Sequence, residues 1–332
     1  MILFRFIHAS DLHFAVVPNK LSYLDGGLSQ FHNNGWNFIC PSSHDEDLAE
    51  AFARFYHESY VADEIDFAII TGDVATTGHQ EDLEKAHSFI DGAWEDRWFS
   101  RGGASLSAST HLNSFALLPG NHDRYGDRGK PGNALFDKVF SDYWNDGKRV
   151  TSRIISKAGV SMAVVMADFT LVRKRDASWK PFSYLGQGKV YDDKLDNRLE
   201  ELKRYTSELR KRFSIDFIVW ATHFPPQYPR IPNKLRLLNE EKLVALAEEM
   251  DVNLILAGHM HKHKAYPISE KCVVLCSGTA TGFNKTYDNA FAVVEVTVSG
   301  GAKRKIDVVS TPIVYQESGY SPQARAAESF QF

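Results

Sequence analysis

The chain has 332 residues, 43% of them apolar, and a formal net charge of −4. That length and apolar content bury a large core, so one large domain, or one domain with a small cap, is expected. The mild acidic balance gives no global pull towards nucleic acid or an anionic membrane surface, and no run approaches eighteen uninterrupted apolar residues, so no membrane span is expected.

Strand-like runs alternate with helical-period segments along the chain, which predicts an α/β fold with a layered sheet core. Strands are expected at Ile2–Ala9, Asp66–Thr71, Ser114–Leu118, Ser161–Ala167, Asp216–Ala221 and Asn253–Ala257. Helices are expected at Glu46–Ala62, Gln80–Asp96, Ala134–Trp144, Asp193–Arg212 and Glu240–Glu249. Within the fourth helix, Leu195, Leu199, Leu202, Tyr205 and Leu209 recur at helical spacing, so one face is buried. Asn239 stands where an N-cap for the fifth belongs. After His261 the character changes. Cys272–Cys276, Ala290–Val298 and Ile306–Val314 read as three strands without intervening helices, an antiparallel run closing a second sheet. The domain is expected to run over 1–316, followed by a polar, small-residue tail over 317–332. Two irregular segments, 14–43 and 173–188, are long enough to be functional loops.

The three cysteines are few and odd in number. Cys272 and Cys276 share one expected strand, where roughly 3.3 Å per residue puts their α-carbons ~13 Å apart, too far for a disulfide. Cys40 is isolated. This usage fits a reducing compartment, and the cytoplasm is the expected location. Met1 to Ser10 is broken by Arg5 and His8 and runs straight into Asp11, unlike a signal peptide.

The chemistry lies at the strand ends. Asp11-Leu12-His13, Gly72-Asp73, Gly120-Asn121-His122-Asp123, Thr222-His223 and Gly258-His259-Met260-His261 each follow an expected strand. In open α/β sheets, loops converge there on a rigid scaffold. Asp11, His13, Asp73, Asn121, His223, His259 and His261 offer carboxylate, amide and imidazole donors. That set suits a pair of borderline transition metals better than calcium or a thiolate zinc site. Asp11 and His13 are separated by one residue, as are His259 and His261. On extended backbone this spacing turns both side chains of a pair to one side, so each pair is expected to grip one ion. Gly72, Gly120 and Gly258 precede ligands, where close backbone approach is needed. A lone Asp-x-His or Gly-Asp carries little weight; the order and completeness of the five motifs carry it. Two metals about 3.5–4 Å apart are a standard device for cleaving phosphate esters. No G-x-S-x-G elbow or Walker-type loop competes, and Gly186-Gln187-Gly188 lacks the third glycine of a dinucleotide loop.

Several neighbours have blander readings. Arg124 stands either to clamp a phosphate or to make a surface ion pair. His79 and the other histidines outside the motifs read as surface or structural, while His263 continues the alternation after His261. Tyr23, Phe31 and Trp36 read as anchors of the first long loop, with stacking on a base or sugar as the alternative.

Together these motifs resemble the calcineurin-like metallophosphoesterase superfamily over about Ile7 to His261. The blocks Gly72-Asp73-Val74-Ala75-Thr76-Thr77-Gly78 and Leu118-Pro119-Gly120-Asn121-His122-Asp123 are most similar to its small bacterial-type phosphodiesterases. The resemblance implies a four-layer α-β-β-α sandwich of two mixed sheets flanked by helices. It implies that Asp11, His13 and His261 hold a first metal, that Asn121, His223 and His259 hold a second, and that Asp73 bridges them. His122 would act at the phosphate or leaving oxygen, with Asp123 orienting it by a hydrogen bond. The implied reaction is hydrolysis of a phosphodiester, cyclic-nucleotide-like or glycerophosphodiester-like, by attack of a metal-bridging hydroxide, with two manganese, iron or zinc ions as cofactors. The loops 14–43 and 173–188 would lie on the substrate side. A phosphomonoesterase and a nuclease are the rivals within the family, and a non-catalytic metal-binding adaptor is the rival outside enzymology. The acidic balance weighs against the nuclease, and the retention of every ligand position weighs against the adaptor. The expected partner is a small phosphoester rather than nucleic acid.

Overall fold

A computed structural model describes residues 2–16, 44–92, 99, 103–125, 131–144, 148–173, 176, 186–192, 196–282, 289–299, 305–316, 319–323 and 326–332. Fifteen strands lie among them: β1 (Ile2–Ala9), β2 (Phe67–Ile70), β3 (Phe115–Leu117), β4 (Val150–Lys157), β5 (Val160–Ala167), β6 (Gly188–Lys189), β7 (Phe217–Ala221), β8 (Leu237–Leu238), β9 (Leu254–Ala257), β10 (Lys264–Pro267), β11 (Val273–Cys276), β12 (Ala290–Ser299), β13 (Lys305–Gln316), β14 (Gly319–Pro322) and β15 (Glu328–Gln331). The helices are α1 (Glu46–Val61), α2 (Gln80–Asp91), α3 (Leu135–Val139), α4 (Arg198–Arg212) and α5 (Glu240–Glu249).

One mixed sheet runs β14-β13-β12-β1-β2-β3, with β15 also on β13; the other runs β10-β11-β9-β7-β5-β4. A separate parallel pair, β6 and β8, stands apart from both. Side-chain alternation shows why the sheets stack. Met162, Val164 and Met166 of β5 face the first sheet, together with Val219, Leu254, Leu256 and Leu275. Their neighbours Ala163, Val165, Ile218, Trp220, Ile255 and Val274 face away, onto Leu202 and Leu209 of α4 and Leu243 and Leu246 of α5. Strand side chains point alternately to opposite faces, so a strand buried on both faces reads as a continuous apolar run. Each apolar side chain fully buried this way contributes about 1.5–3 kcal/mol. On the first sheet, α1 meets β12 through Phe52 and Phe291, ring centroids 4.8 Å apart. Asp45 caps α1 by accepting from the backbone N–H groups of Asp47 and Leu48. The result is the two-sheet, helix-flanked sandwich.

Strand direction matters most for the site. β1, β2 and β3 are mutually parallel, as are β5, β7, β9 and β11. Parallel strands bring the loops at their carboxyl ends to one side.

Several expectations need correction. The three strands after His261 divide between the sheets. β11 joins the second sheet parallel to β9, while β12 and β13 run antiparallel on the first, beside β1. The stretch from Glu317, expected as a tail, adds β14 and β15 to β13, with Phe330 and Phe332 packed against the core. β4 was not expected. It pairs with β5 through a two-residue turn in which Ala158 has φ 49° and Gly159 φ 80°. Positive φ at both turn positions matches the twist of a hairpin. Asn239 does precede α5, but at φ 59° with its amide donating to the Val190 carbonyl, so its side chain does not cap. The helix expected over Ala134–Trp144 is the shorter α3. Most of the segments 14–43 and 173–188, with Tyr23, Phe31 and Trp36, lie outside the described residues.

Candidate metal centre

The loops after β1, β2, β3, β7 and β9 meet between the carboxyl ends of the two sheets. Asp11, His13 and His261 form one buried group whose ligand atoms all lie within 4.8 Å of one another; Asp73, His223 and His259 form a second, and His13, Asp73 and His122 join the two. In the first group, the Nε2 atoms of His13 and His261 are 3.1 Å apart, and His261 Nε2 is 3.1 Å from Asp11 Oδ1. In the second, His223 Nε2 lies 3.2 Å from Asp73 Oδ2 and 3.0 Å from Asn121 Oδ1. Asp73 thus stands between both groups, with its Oδ1 held by the His122 backbone N–H at 2.8 Å.

The backbone fixes which atom each ligand presents. His223 Nδ1 donates to the Thr71 carbonyl at 2.8 Å, leaving Nε2 for the centre. His259 Nε2 donates to the Leu235 carbonyl at 3.1 Å, so its Nδ1 is the inward atom. The Asn121 amide nitrogen donates to the Tyr125 hydroxyl at 3.0 Å, which turns the amide oxygen inward. Carbonyl partners of this kind set tautomer and ring orientation at metal sites. The donor set of nitrogen and oxygen lone pairs fits divalent transition metals.

Electrostatics agree with a site built for positive charge. Burial raises the carboxyl of Asp73, but His223, followed by His122, outweighs it and holds the group well below the usual carboxylate range. Burial also raises Asp11, and His261 brings it down to about 2. Burial pushes His223 down, yet Asp73 carries it up to about 9. That pair favours a positive charge between its members, which a proton or a metal cation supplies. Burial, then the imidazoles of His261 and His122, lowers His13 to about 3; burial, then His223, does the same to His259. Both keep neutral rings with lone pairs available for coordination.

Much of the centre is locally strained. Five of the seven expected ligands have left-handed backbones: Asp11 φ 55°, His13 φ 52°, Asp73 φ 51°, His259 φ 70° and His261 φ 53°. The extended backbone expected at the Asp-x-His and His-x-His pairs is therefore absent from both, and the second pair does not share one group. His261 joins Asp11 and His13, while His259 turns to the other group. Two glycines show how tight the centre is. Gly72 has φ 97°, and a Cβ on Gly120 would sit 2.2 Å from Asp73 Oδ1.

His122 lies beside the centre, its Nε2 4.0 Å from Asp73 Oδ2. Asp123 does not orient it. The Thr76 carbonyl accepts from His122 Nδ1 at 2.7 Å, whereas Asp123 accepts the backbone N–H groups of Val74, Ala75 and Gly120 at 3.3, 2.9 and 2.8 Å. With both oxygens occupied, Asp123 staples the Asn121–His122 loop to the Asp73 loop. Burial, then Asp73, pushes its carboxyl up to about 7. Arg124 neither clamps a phosphate nor lies at the surface; it is buried, bonded to Asp168 and Asp137. His263 belongs to none of the ligand groups among the described residues. Thr76, Leu235 and Tyr125 were missed. Tyr125, four residues after Asn121, had a signal in its spacing, but the carbonyls of Thr76 and Leu235 act through backbone that side-chain chemistry does not report.

Comparison with known proteins follows the same lines. A family model described as calcineurin-like phosphoesterase matches residues 4–263. A search of curated proteins found no match. Among solved structures, the chain is similar to a dimetal phosphatase from Danio rerio, at 12% identity over 99% of this chain and 98% of that one, with a TM-score of 0.55. It is also similar to PhoD, at 10% identity over 99% of this chain and 70% of that one, with a TM-score of 0.53. At such identities the likeness is one of fold. Among the described residues no helix is long and apolar enough to cross a membrane. The family match spans most of the sequence and contains every ligand group, so this chain belongs to the calcineurin-like phosphoesterases, hydrolases of phosphoric esters that use two divalent metal ions.

Proposed function

We propose that the protein hydrolyses a small phosphodiester, cyclic-nucleotide-like or glycerophosphodiester-like, at a dinuclear centre of manganese, iron or zinc. Asp11, His13 and His261 would hold one ion, Asn121, His223 and His259 the other, and Asp73 both. The observation that carries this reading is the position of Asp73 within reach of both ligand groups. When bound, the two ions lower the pKa of water and neutralise charge on the phosphoryl oxygens.

The protein's own part is orientation and proton delivery. Hydrolysis joins the oxygen of water to phosphorus and breaks the bond to the leaving alcohol, whose oxygen must gain a proton. His122 supplies it from Nε2, because Nδ1 is tied to the Thr76 carbonyl. Asp123 holds the two loops in register and does not exchange protons with substrate. Arg124 supports the diester over the monoester. A monoester carries a second negative charge, and this arginine, two residues after His122, is committed to Asp137 and Asp168. The free, buried thiols of Cys272 and Cys276 support a reducing, cytoplasmic setting.

The test is a comparison of bis-(p-nitrophenyl) phosphate with p-nitrophenyl phosphate after manganese loading. Higher kcat/KM on the diester is expected. A strong preference for the monoester refutes the diesterase reading and leaves the phosphoesterase family intact.

A further inference from the structure

The first metal-ligand turn is held by a set of hydroxyls outside the ligand motifs. Asp11 and His13 both have positive φ, so the carbonyls around them leave the sheet ladder and need other donors. Four consecutive carbonyls find them. The Ser10 carbonyl accepts from Ala280 N–H at 3.2 Å. The Asp11 carbonyl accepts from the Thr279 hydroxyl at 2.7 Å, and the Leu12 carbonyl accepts from the Thr281 hydroxyl. The His13 carbonyl accepts from the Thr76 hydroxyl at 2.7 Å and from His44 N–H at 3.0 Å. Gly282 N–H donates to Thr279 Oγ1 at 2.9 Å, which fixes the direction of that hydroxyl. Thr279 and Thr281 are fully buried and follow β11 of the second sheet; Thr76 follows β2 of the first. The turn is gripped from both sheets, one threonine to each of three successive carbonyls.

We propose that Thr76, Thr279 and Thr281 are positioning residues that hold Asp11 and His13 in ligand geometry, and so set the affinity of the metal position formed by Asp11, His13 and His261. This rests on the dinuclear reading above. The hydroxyls touch neither substrate nor metal; they act through the backbone of the turn. Asn121, His223 and His259 sit on other loops, and their bond to the turn, from His259 N–H to Asp11 Oδ2 at 2.9 Å, does not involve the threonine hydroxyls, so the second position is affected less.

The test is calorimetric titration of manganese into the metal-stripped full chain. Wild type is expected to take two equivalents. In Thr279→Val and Thr76→Val, one equivalent is expected to weaken by about 10- to 100-fold, as for lost outer partners of metal ligands, while the other stays within about 3-fold. Thr279→Ser and Thr76→Ser, which keep the hydroxyl, are expected to bind as wild type. Thr206→Val provides a control, because the Thr206 hydroxyl donates to the Leu202 carbonyl away from the centre at 2.8 Å. Valine variants that bind both equivalents as wild type overturn the proposal, as do serine variants as weak as the valine ones. If one valine variant fails to fold, the other reads the same equivalent from the opposite sheet. A wild type that takes fewer than two equivalents overturns the dinuclear reading instead, and the clamp falls with it.

Discussion

Asp11, His13, Asp73, His259 and His261 all take backbone angles that side chains with a Cβ seldom adopt. Such conformations cost about 1–3 kcal/mol each and persist only where surroundings over-determine them. The donor types of these residues were legible in the sequence, because carboxylate and imidazole after apolar strands are chemically distinctive. Their turn geometry was not, because left-handed φ at Asp or His leaves no residue signature as glycine does. This is why the spacing argument paired His259 with His261 when the structure separates them. Two substitutions test the division of labour at this scale. His122→Ala is expected to lower kcat by about 10²- to 10⁴-fold, the usual contribution of a general acid, with manganese stoichiometry unchanged by calorimetry. Asp123→Asn is expected to act on the scaffold. Its amide nitrogen would face either the Ala75 N–H or those of Val74 and Gly120, which should destabilise the fold by about 1–3 kcal/mol in urea unfolding. An orienting role for Asp123 predicts instead a loss of kcat with stability retained.

Between elements, one carboxylate does the joining. Asp168 directly follows β5 and accepts from Arg124, Arg149 and the Thr170 hydroxyl, while Arg198, the first residue of α4, donates to its carbonyl. Arg124 also reaches Asp137 in α3 at 2.6 Å. The network ties the turn bearing His122 to both ends of the β4–β5 hairpin and to two helices. Nothing in the sequence marked it, since charges far apart in the chain meet only through the fold. The hairpin was missed because Val150–Lys157 is half polar, as suits a strand at the sheet edge. Asp168→Asn breaks the buried pairing and is expected to cost about 3–5 kcal/mol in urea. Burial raises the Asp168 carboxyl, but Arg124, then Arg149 and Arg198, hold it well below the usual range. A folded pKa below the unfolded value of about 3.9 gives stability that is present above roughly pH 4 and is lost as pH falls through the depressed value. The wild-type stability curve should therefore have a steep acid limb that Asp168→Asn flattens. Equal acid limbs in the two proteins would rule out this network as the cause.

Over the whole molecule, the sequence showed the α/β alternation and the convergence of five loops, because both follow from local periodicity. The partition of strands between sheets was hidden, since periodicity marks a strand without naming its neighbours, and only long-range pairing puts β11 beside β9 and β12 beside β1. One buried histidine outside the expected ligand set adds a global pH dependence. His8 packs between the sheets with Nε2 3.1 Å from Thr71 Oγ1, and burial, then His263, lowers it to about 3 against the pull of Asp11. Its folded pKa lies below the unfolded value of about 6.5, so the unfolded chain gains the proton first; stability is full above that pH and falls below it. His8→Gln is expected to show a shallower drop in urea midpoint between about pH 7 and 5 than wild type. Above all these stands the claim that two sheets deliver seven donors to one two-metal pocket with Asp73 shared. Anomalous diffraction from manganese-loaded crystals tests it most directly. Two peaks are expected, one beside Asp11, His13 and His261 and one beside Asn121, His223 and His259, with the Asp73 carboxylate between them; a single peak under saturating manganese, or two peaks without Asp73 between them, would contradict it.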